Sequence, residues 1–277
     1  MTAPRDTAFP PEGTRLFDAH CHLDFMSNAD EVARDAGAMG LAILATTVDP
    51  RGYQRLRPIA DACENVRVAV GLHPWWVADG RCGEKDVSLA ASIAEAEPLV
   101  GEVGIDLSPR HVPEGSRHAQ EEALGRICQS CARRSGRGGA RDTQAPPTVL
   151  SIHSVRAATQ ALDILEETGC LTTCRPVFHW FSGTGDELAR AVRASCWFSV
   201  NEMMLSTRRG REYARQVPEE RLLTETDLPP AQGEPFSAER IAASLERTLG
   251  LLAEIRGDDV ESLADRIVGN ARRLFSA

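Results

Sequence analysis

Leu16-Phe17-Asp18-Ala19-His20-Cys21-His22-Leu23-Asp24 is the stretch on which the reading of the fold turns. The run Leu16–Leu23 has the length and apolar content of a strand, and Asp18, His20 and His22 occupy alternate positions. Residues two apart on a strand face the same way, so this spacing predicts a carboxylate and two imidazoles on one face near the C-terminal end. Seven further β-rich runs follow, at Leu41–Val48, Val66–Leu72, Leu99–Ile105, Thr148–His153, Val177–Phe181, Trp197–Val200 and Leu222–Thr226. Segments with helical periodicity lie between them, among them Ala29–Ala38, Tyr53–Cys63, Ala157–Thr168, Glu187–Ala194 and Ile241–Ile255. Repeated βα units in ~250 residues predict a TIM-type (β/α)8 barrel of the α/β class. A doubly wound sheet is the alternative, but its glycine fingerprint is missing after the first strand.

The ends of the other runs carry the same kind of residue: Gly71-Leu72-His73-Pro74, Gly101-Glu102-Val103-Gly104-Ile105-Asp106, Ile152-His153-Ser154, Phe178-His179-Trp180 and Glu225-Thr226-Asp227. Barrel enzymes keep their active sites at that end. Histidines from several strands met by carboxylates predict a divalent metal site built from His20, His22, Glu102, His153, His179 and Asp227. Glu225 shares a predicted strand face with Asp227. His73 stands before a proline turn and reads as functional or structural. His111 and His118 fall after strand four and read as structural; Asp24 and Asp106 read as loop caps.

Composition removes other classes. The 277 residues are 42% hydrophobic and 26% charged, with a net charge of −9. Recurrent apolar stretches argue against disorder, and none approaches the ~20 residues of a membrane span. The opening MTAPRDTAFPPEG lacks the apolar core of a signal peptide, which predicts a cytoplasmic protein. With a pI of about 5.4, nucleic acid is predicted to meet a local site rather than a basic surface. The basic residues are 30 Arg and the single Lys85, so no lysine stands at a strand end. Of eight cysteines, Cys128 and Cys131 form a CxxC in a helical segment without a matching second pair, which reads as packing. Residues 1–14 read as a flexible leader and 15–277 as one barrel domain, with an exposed Gly- and Pro-rich loop at 135–147.

DAHCHLD (18–24), GLHP (71–74), GEVGID (101–106), SIHS (151–154), HWFSG (179–183), ETDLPP (225–230) and GNARRLF (269–275) together resemble the motifs of the TatD family of metal-dependent hydrolases and deoxyribonucleases. The resemblance spans about residues 16–275. LSIHS, FHWFSG and CWFSV are similar to the TatD-like nuclease subunit of Qat antiphage defence systems. The resemblance implies two divalent ions (Zn, Mg or Mn), one held by His20, His22 and Asp227, the other by His153 and His179. Glu102 would bridge them, where related barrels use a carbamylated lysine. With Glu102, Asp227 and one hydroxide, such a site carries a charge of about +1, attractive to a phosphodiester despite the acidic chain.

The implied reaction is hydrolysis of DNA, single-stranded or at its ends, in the manner of a 3'-5' exonuclease. Asp227 would act as general base, and His73 would contact the phosphate or donate a proton. Asp18 would orient a ligand histidine, and Glu225 would tune the ions or orient substrate. Val155 stands where the family usually has Arg, and Arg156 is the candidate replacement for phosphate binding. Alternatives are a deacylase or amidohydrolase, for example on aminoacyl-tRNA, and a non-enzymatic subunit of a defence complex with neighbouring operon products as partners.

Overall fold

A computed structural model describes residues 8–137 and 146–276. Eight parallel strands pair in sequence order. They are β1 (Leu16–Cys21), β2 (Leu41–Thr46), β3 (Val66–Leu72), β4 (Leu99–Asp106), β5 (Thr148–Val155), β6 (Cys174–His179), β7 (Trp197–Val200) and β8 (Leu222–Thr224). The seam between β8 and β1 is held by Thr224 Oγ1 donating to Phe17 O at 2.9 Å. The architecture is the TIM-type barrel that the alternating pattern predicts.

Strands such as LFDAHC and LAILAT are buried along their whole length because both faces are covered. Phe17, Ala19, Ala42, Leu44, Ala69, Val149, Val177 and Leu223 pack into one cluster with Val268, Ala271 and Leu274 of the last helix. The alternate residues, such as Leu41, Ile43, Val68, Leu150 and Phe178, join the larger cluster that the covering helices complete. The helices begin where their caps predict. Asp49 Oδ1 accepts from Gly52 N at 2.6 Å ahead of Pro50–Ala62, and Thr184 forms a capping box with Glu187.

The expected leader is partly integrated. Residues 1–7 lie outside the described residues, but Phe9 is buried against Phe17 and Phe275, at centroid distances of 6.1 and 4.9 Å. Its ring finds apolar partners at the closed end of the barrel, which holds the segment down. Within the expected loop, Ser135 and Arg137 still belong to the helix Arg117–Arg137, and 138–145 lie outside the described residues. The tertiary structure also brings Cys170 beside the CxxC helix, with Cys170 Sγ donating to Cys128 O at 3.2 Å. Among the described residues no cysteine joins a metal-ligating cluster, and no helix is long and apolar enough to cross a membrane.

Candidate metal centre

Glu102 reaches the middle of the barrel mouth because of the glycines around it. Gly101 and Gly104 have φ of 152° and 151°, a region that L side chains rarely adopt. A Cβ on Gly104 would stand 2.0 Å from His153 O. The register of β4 slips between Val100 and Val103 against both β3 and β5, and Glu102 is turned inward at the slip.

Five imidazoles surround this carboxylate. Oε1 lies 2.7 Å from His153 Nδ1 and 2.8 Å from His179 Nε2. Oε2 lies 3.4 Å from His20 Nε2, 3.5 Å from His22 Nε2 and 3.3 Å from His73 Nε2. Asp227 Oδ1 stands 3.3 Å from His22 Nε2 and 3.7 Å from His20 Nε2. Clusters of ligating atoms within 4.8 Å of one another comprise His20, His22 and Asp227; His20, His179 and Glu225; and His73, Glu102 and His153.

Three buried atoms here, His20 Nε2, His179 Nδ1 and Glu102 Oε2, have no hydrogen-bond partner among the described residues. Each unsatisfied buried polar atom costs roughly 1–3 kcal/mol, which a coordinated cation would remove. The donor set therefore fits a divalent metal. Burial alone would raise Glu102, but His73, His179 and His20 hold it well below the usual carboxylate range. Burial likewise opposes the charge on His22, yet Asp227 and Glu102 raise it to about 9. His179 is raised in the same way by Glu102 and Glu225, against its burial. Protons on these rings thus stand where cations would bind, so metal uptake must release them.

The far side of most rings is also held. His20 Nδ1 pairs with Ser151 Oγ at 2.8 Å, His22 Nδ1 donates to Thr46 O at 3.3 Å, and His153 Nε2 lies 3.0 Å from Asp106 Oδ2. Such outer bonds orient ligand imidazoles. His73 differs. Its Nδ1 accepts from Trp75 N at 3.1 Å, so the neutral ring carries its proton on Nε2, toward Glu102. That makes His73 a hydrogen-bond donor into the site, despite its place in a geometric ligand cluster.

Among known protein families, residues 17–276 match the one described as TatD related DNase. The chain belongs to the TatD-related DNase family. Human deoxyribonuclease TATDN3 is 25% identical over 280 residues, covering 95% of each chain. The 3'-5' ssDNA/RNA exonuclease TatD of Citrobacter rodentium is 29% identical over 277 residues, covering 94% of this chain and 97% of its own. The crystal structure of the TatD homologue YjjV from Escherichia coli superposes with a TM-score of 0.75 at 22% identity, over 95% of this chain and 98% of that one, and supports the fold. The chain is therefore a TatD-type metal-dependent hydrolase with DNase and exonuclease relatives.

The six expected metal ligands of this TatD-type site come together, with His73 beside them. Asp18 does not orient a ligand ring. Its Oδ1 accepts from His20 N and Thr226 N, and its Oδ2 from Thr226 Oγ1, because β1 slips register between Asp18 and Cys21. It ties β1 to the segment that carries Asp227. Glu225, expected to tune the ions or orient substrate, is fully buried, with Oε1 3.8 Å from His179 Nδ1. Its oxygens accept from Trp180 N, Asn201 Nδ2 and Ser199 Oγ, so it braces the ends of β6 and β7. Strand β8 stops at Thr224, and Asp227 turns into the site from a left-handed residue with φ 59°. Arg156, also left-handed at φ 56°, is exposed and makes no hydrogen bond or ion pair among the described residues.

Sequence reasoning missed Asp106, Trp75 and Ser151. Asp106 was read as a cap, and it does accept from Ser108 N at 2.7 Å as a cap would. Its second oxygen lies 3.0 Å from His153 Nε2. The available signal was its place at the end of β4, four residues after Glu102. Neither Ser151 nor Trp75 carries a sequence signal of its own.

Proposed function

We propose that this TatD-family chain is a metal-dependent phosphodiesterase that degrades DNA from an end, in the 3'-5' direction, at a two-ion centre. The observation that carries the reading is the placement of the Glu102 oxygens, one toward His153 and His179 and the other toward His20 and His22. A carboxylate so placed suits a bridge between two cations. His20, His22 and Asp227 would hold one ion, His153 and His179 the other. Divalent ions there would supply a lowered water pKa and charge neutralisation at phosphate.

The chain's own residues do the rest. Asp227 is 23% exposed and faces the mouth, and its neighbours hold it ionised, with a pKa of about 2 despite burial. It accepts the proton of the attacking water. His73 Nε2–H donates to a phosphate oxygen or to the departing oxygen. Arg156 binds phosphate in place of the arginine that Val155 displaces. Relatives named as a deoxyribonuclease and as a 3'-5' ssDNA/RNA exonuclease support a nucleic-acid substrate. The strand-end wordings LSIHS, FHWFSG and CWFSV support a role in antiphage defence as the nuclease of a Qat-type system, in the cytoplasm and with operon-encoded partners. We place the hydrolase domain at 15–277.

The test is a panel of 3'- and 5'-labelled single-stranded DNA, duplex DNA, RNA and aminoacyl-tRNA, with Zn, Mn or Mg restored to chelated protein. Metal-dependent shortening of single-stranded DNA from its 3' end is expected. Deacylation of aminoacyl-tRNA without DNA cleavage would replace the reading, and full nuclease activity in demonstrably metal-free protein would end it. Co-purification with neighbouring gene products checks the defence assignment.

A further inference from the structure

Asp106, the last residue of β4, is where three elements of the mouth meet, and it is fully buried. Its Oδ2 accepts from Trp75 Nε1 at 2.6 Å and lies 3.1 Å from His111 Nδ1 and 3.0 Å from His153 Nε2. Its Oδ1 accepts from Ser108 N at 2.7 Å. The backbone is pinned as well. Asp106 N donates to Gln120 Oε1 at 2.8 Å, and Gln120 Nε2 donates to Asp106 O at 3.0 Å. With N–H donors on both oxygens the group stands as a carboxylate, which only accepts hydrogen bonds.

An imidazole nitrogen beside a carboxylate oxygen carries a proton, and His153 has such an oxygen on each side, Asp106 Oδ2 at 3.0 Å from Nε2 and Glu102 Oε1 at 2.7 Å from Nδ1. A cation at Nδ1 would displace the proton that faces Glu102 and leave the one on Nε2, donated to Asp106. We propose that Asp106 is a positioning residue that holds His153 as the Nε2–H tautomer, so that Nδ1 is free to bind a cation. The proposal rests on the metal-centre reading above. Without Asp106, the carboxylate beside the ring is Glu102. Neutral His153 would then move its proton to Nδ1 and donate it to Glu102, which blocks the ligand position. Trp75 and His111 bond the oxygen that His153 uses, so one group sets both this wall of the pocket and the ligand in it.

The chain has seven histidines, few enough for long-range 1H–15N correlation of histidine-labelled, zinc-loaded protein. The His153 signals are assigned by their loss in His153→Gln. Expected are a protonated Nε2 and a metal-shifted, unprotonated Nδ1. Zinc affinity, read by chelator competition, should fall by about 10–100-fold in Asp106→Ala and Asp106→Asn. The asparagine variant preserves shape and decides the matter if the alanine variant does not fold, since an amide oxygen cannot serve all four donors. Both variants binding zinc as tightly as wild type, or His153 protonated on Nδ1 in the zinc-loaded wild type, would overturn the role of Asp106 alone. Wild-type protein that takes up no zinc would overturn both this role and the metal reading beneath it.

Discussion

Glu102 concentrates the chemistry in one side chain. It is the carboxylate among five imidazoles, and its Oε2 has no hydrogen-bond partner among the described residues. Glu102→Ala should release at least one ion and bring hydrolysis to background in protein that remains folded. Elemental analysis and activity on the same sample check this, and two retained ions with substantial activity would remove Glu102 from the bridge. Asp227→Asn keeps shape and one ligand oxygen but loses the capacity to take a proton. A fall in turnover of about 10²-fold or more is expected, with DNA binding less affected. Arg156→Ala should raise the DNA concentration for half-maximal rate more than it lowers the rate at saturation. Kinetics at low DNA identical to wild type would mean that Arg156 stays in solvent.

Strands and helices were legible because their signals are local. The helix predicted at Ala29–Ala38 is found at those residues, as are β3 and β7 at theirs. The slips in β1 and β4 were not legible, because a bulge is chosen by the neighbouring strands. They overturn simple alternation, so that Asp18 faces the β8 seam while His20 and His22 face the site. Left-handed residues repeat the lesson. Arg156, Trp180 and Asp227 follow β5, β6 and β8 with φ of 56°, 39° and 59°, at a conformational cost of about 1–3 kcal/mol each. At element scale the sharpest prediction concerns Gly104. Gly104→Ala should lower stability by about 3 kcal/mol or more, since its Cβ would collide with the His153 carbonyl at a φ that only glycine favours. Denaturant unfolding of metal-free protein measures the loss, and a variant as stable as wild type would show that β4 can move.

At the scale of the molecule, the barrel and the metal centre are separate sources of stability with opposite responses to pH. In metal-free protein His22 is raised from 6.5 to about 9, so its contribution is full below 6.5 and is lost as pH rises through 9. Metal binding must displace such protons and therefore strengthens over the same range. Thermal unfolding between pH 6.5 and 9 should show chelated protein losing stability while zinc affinity increases. Parallel trends would mean that the rings are neutral before metal arrives. The sequence by itself determined the repeat of strand and helix, and with it the barrel and the strand ends where the ligands lie, because periodicity and strand-end chemistry act over a few residues. Tertiary structure alone decided what each side chain faces. It drew Asp106 to His153, 47 residues away, and Ser151 to His20, 131 away, and it closed Glu225 off from solvent. The reason is physical: closing eight strands into one ring sets their register jointly, and a single-residue slip reverses the direction of a side chain whose neighbours in sequence are unchanged.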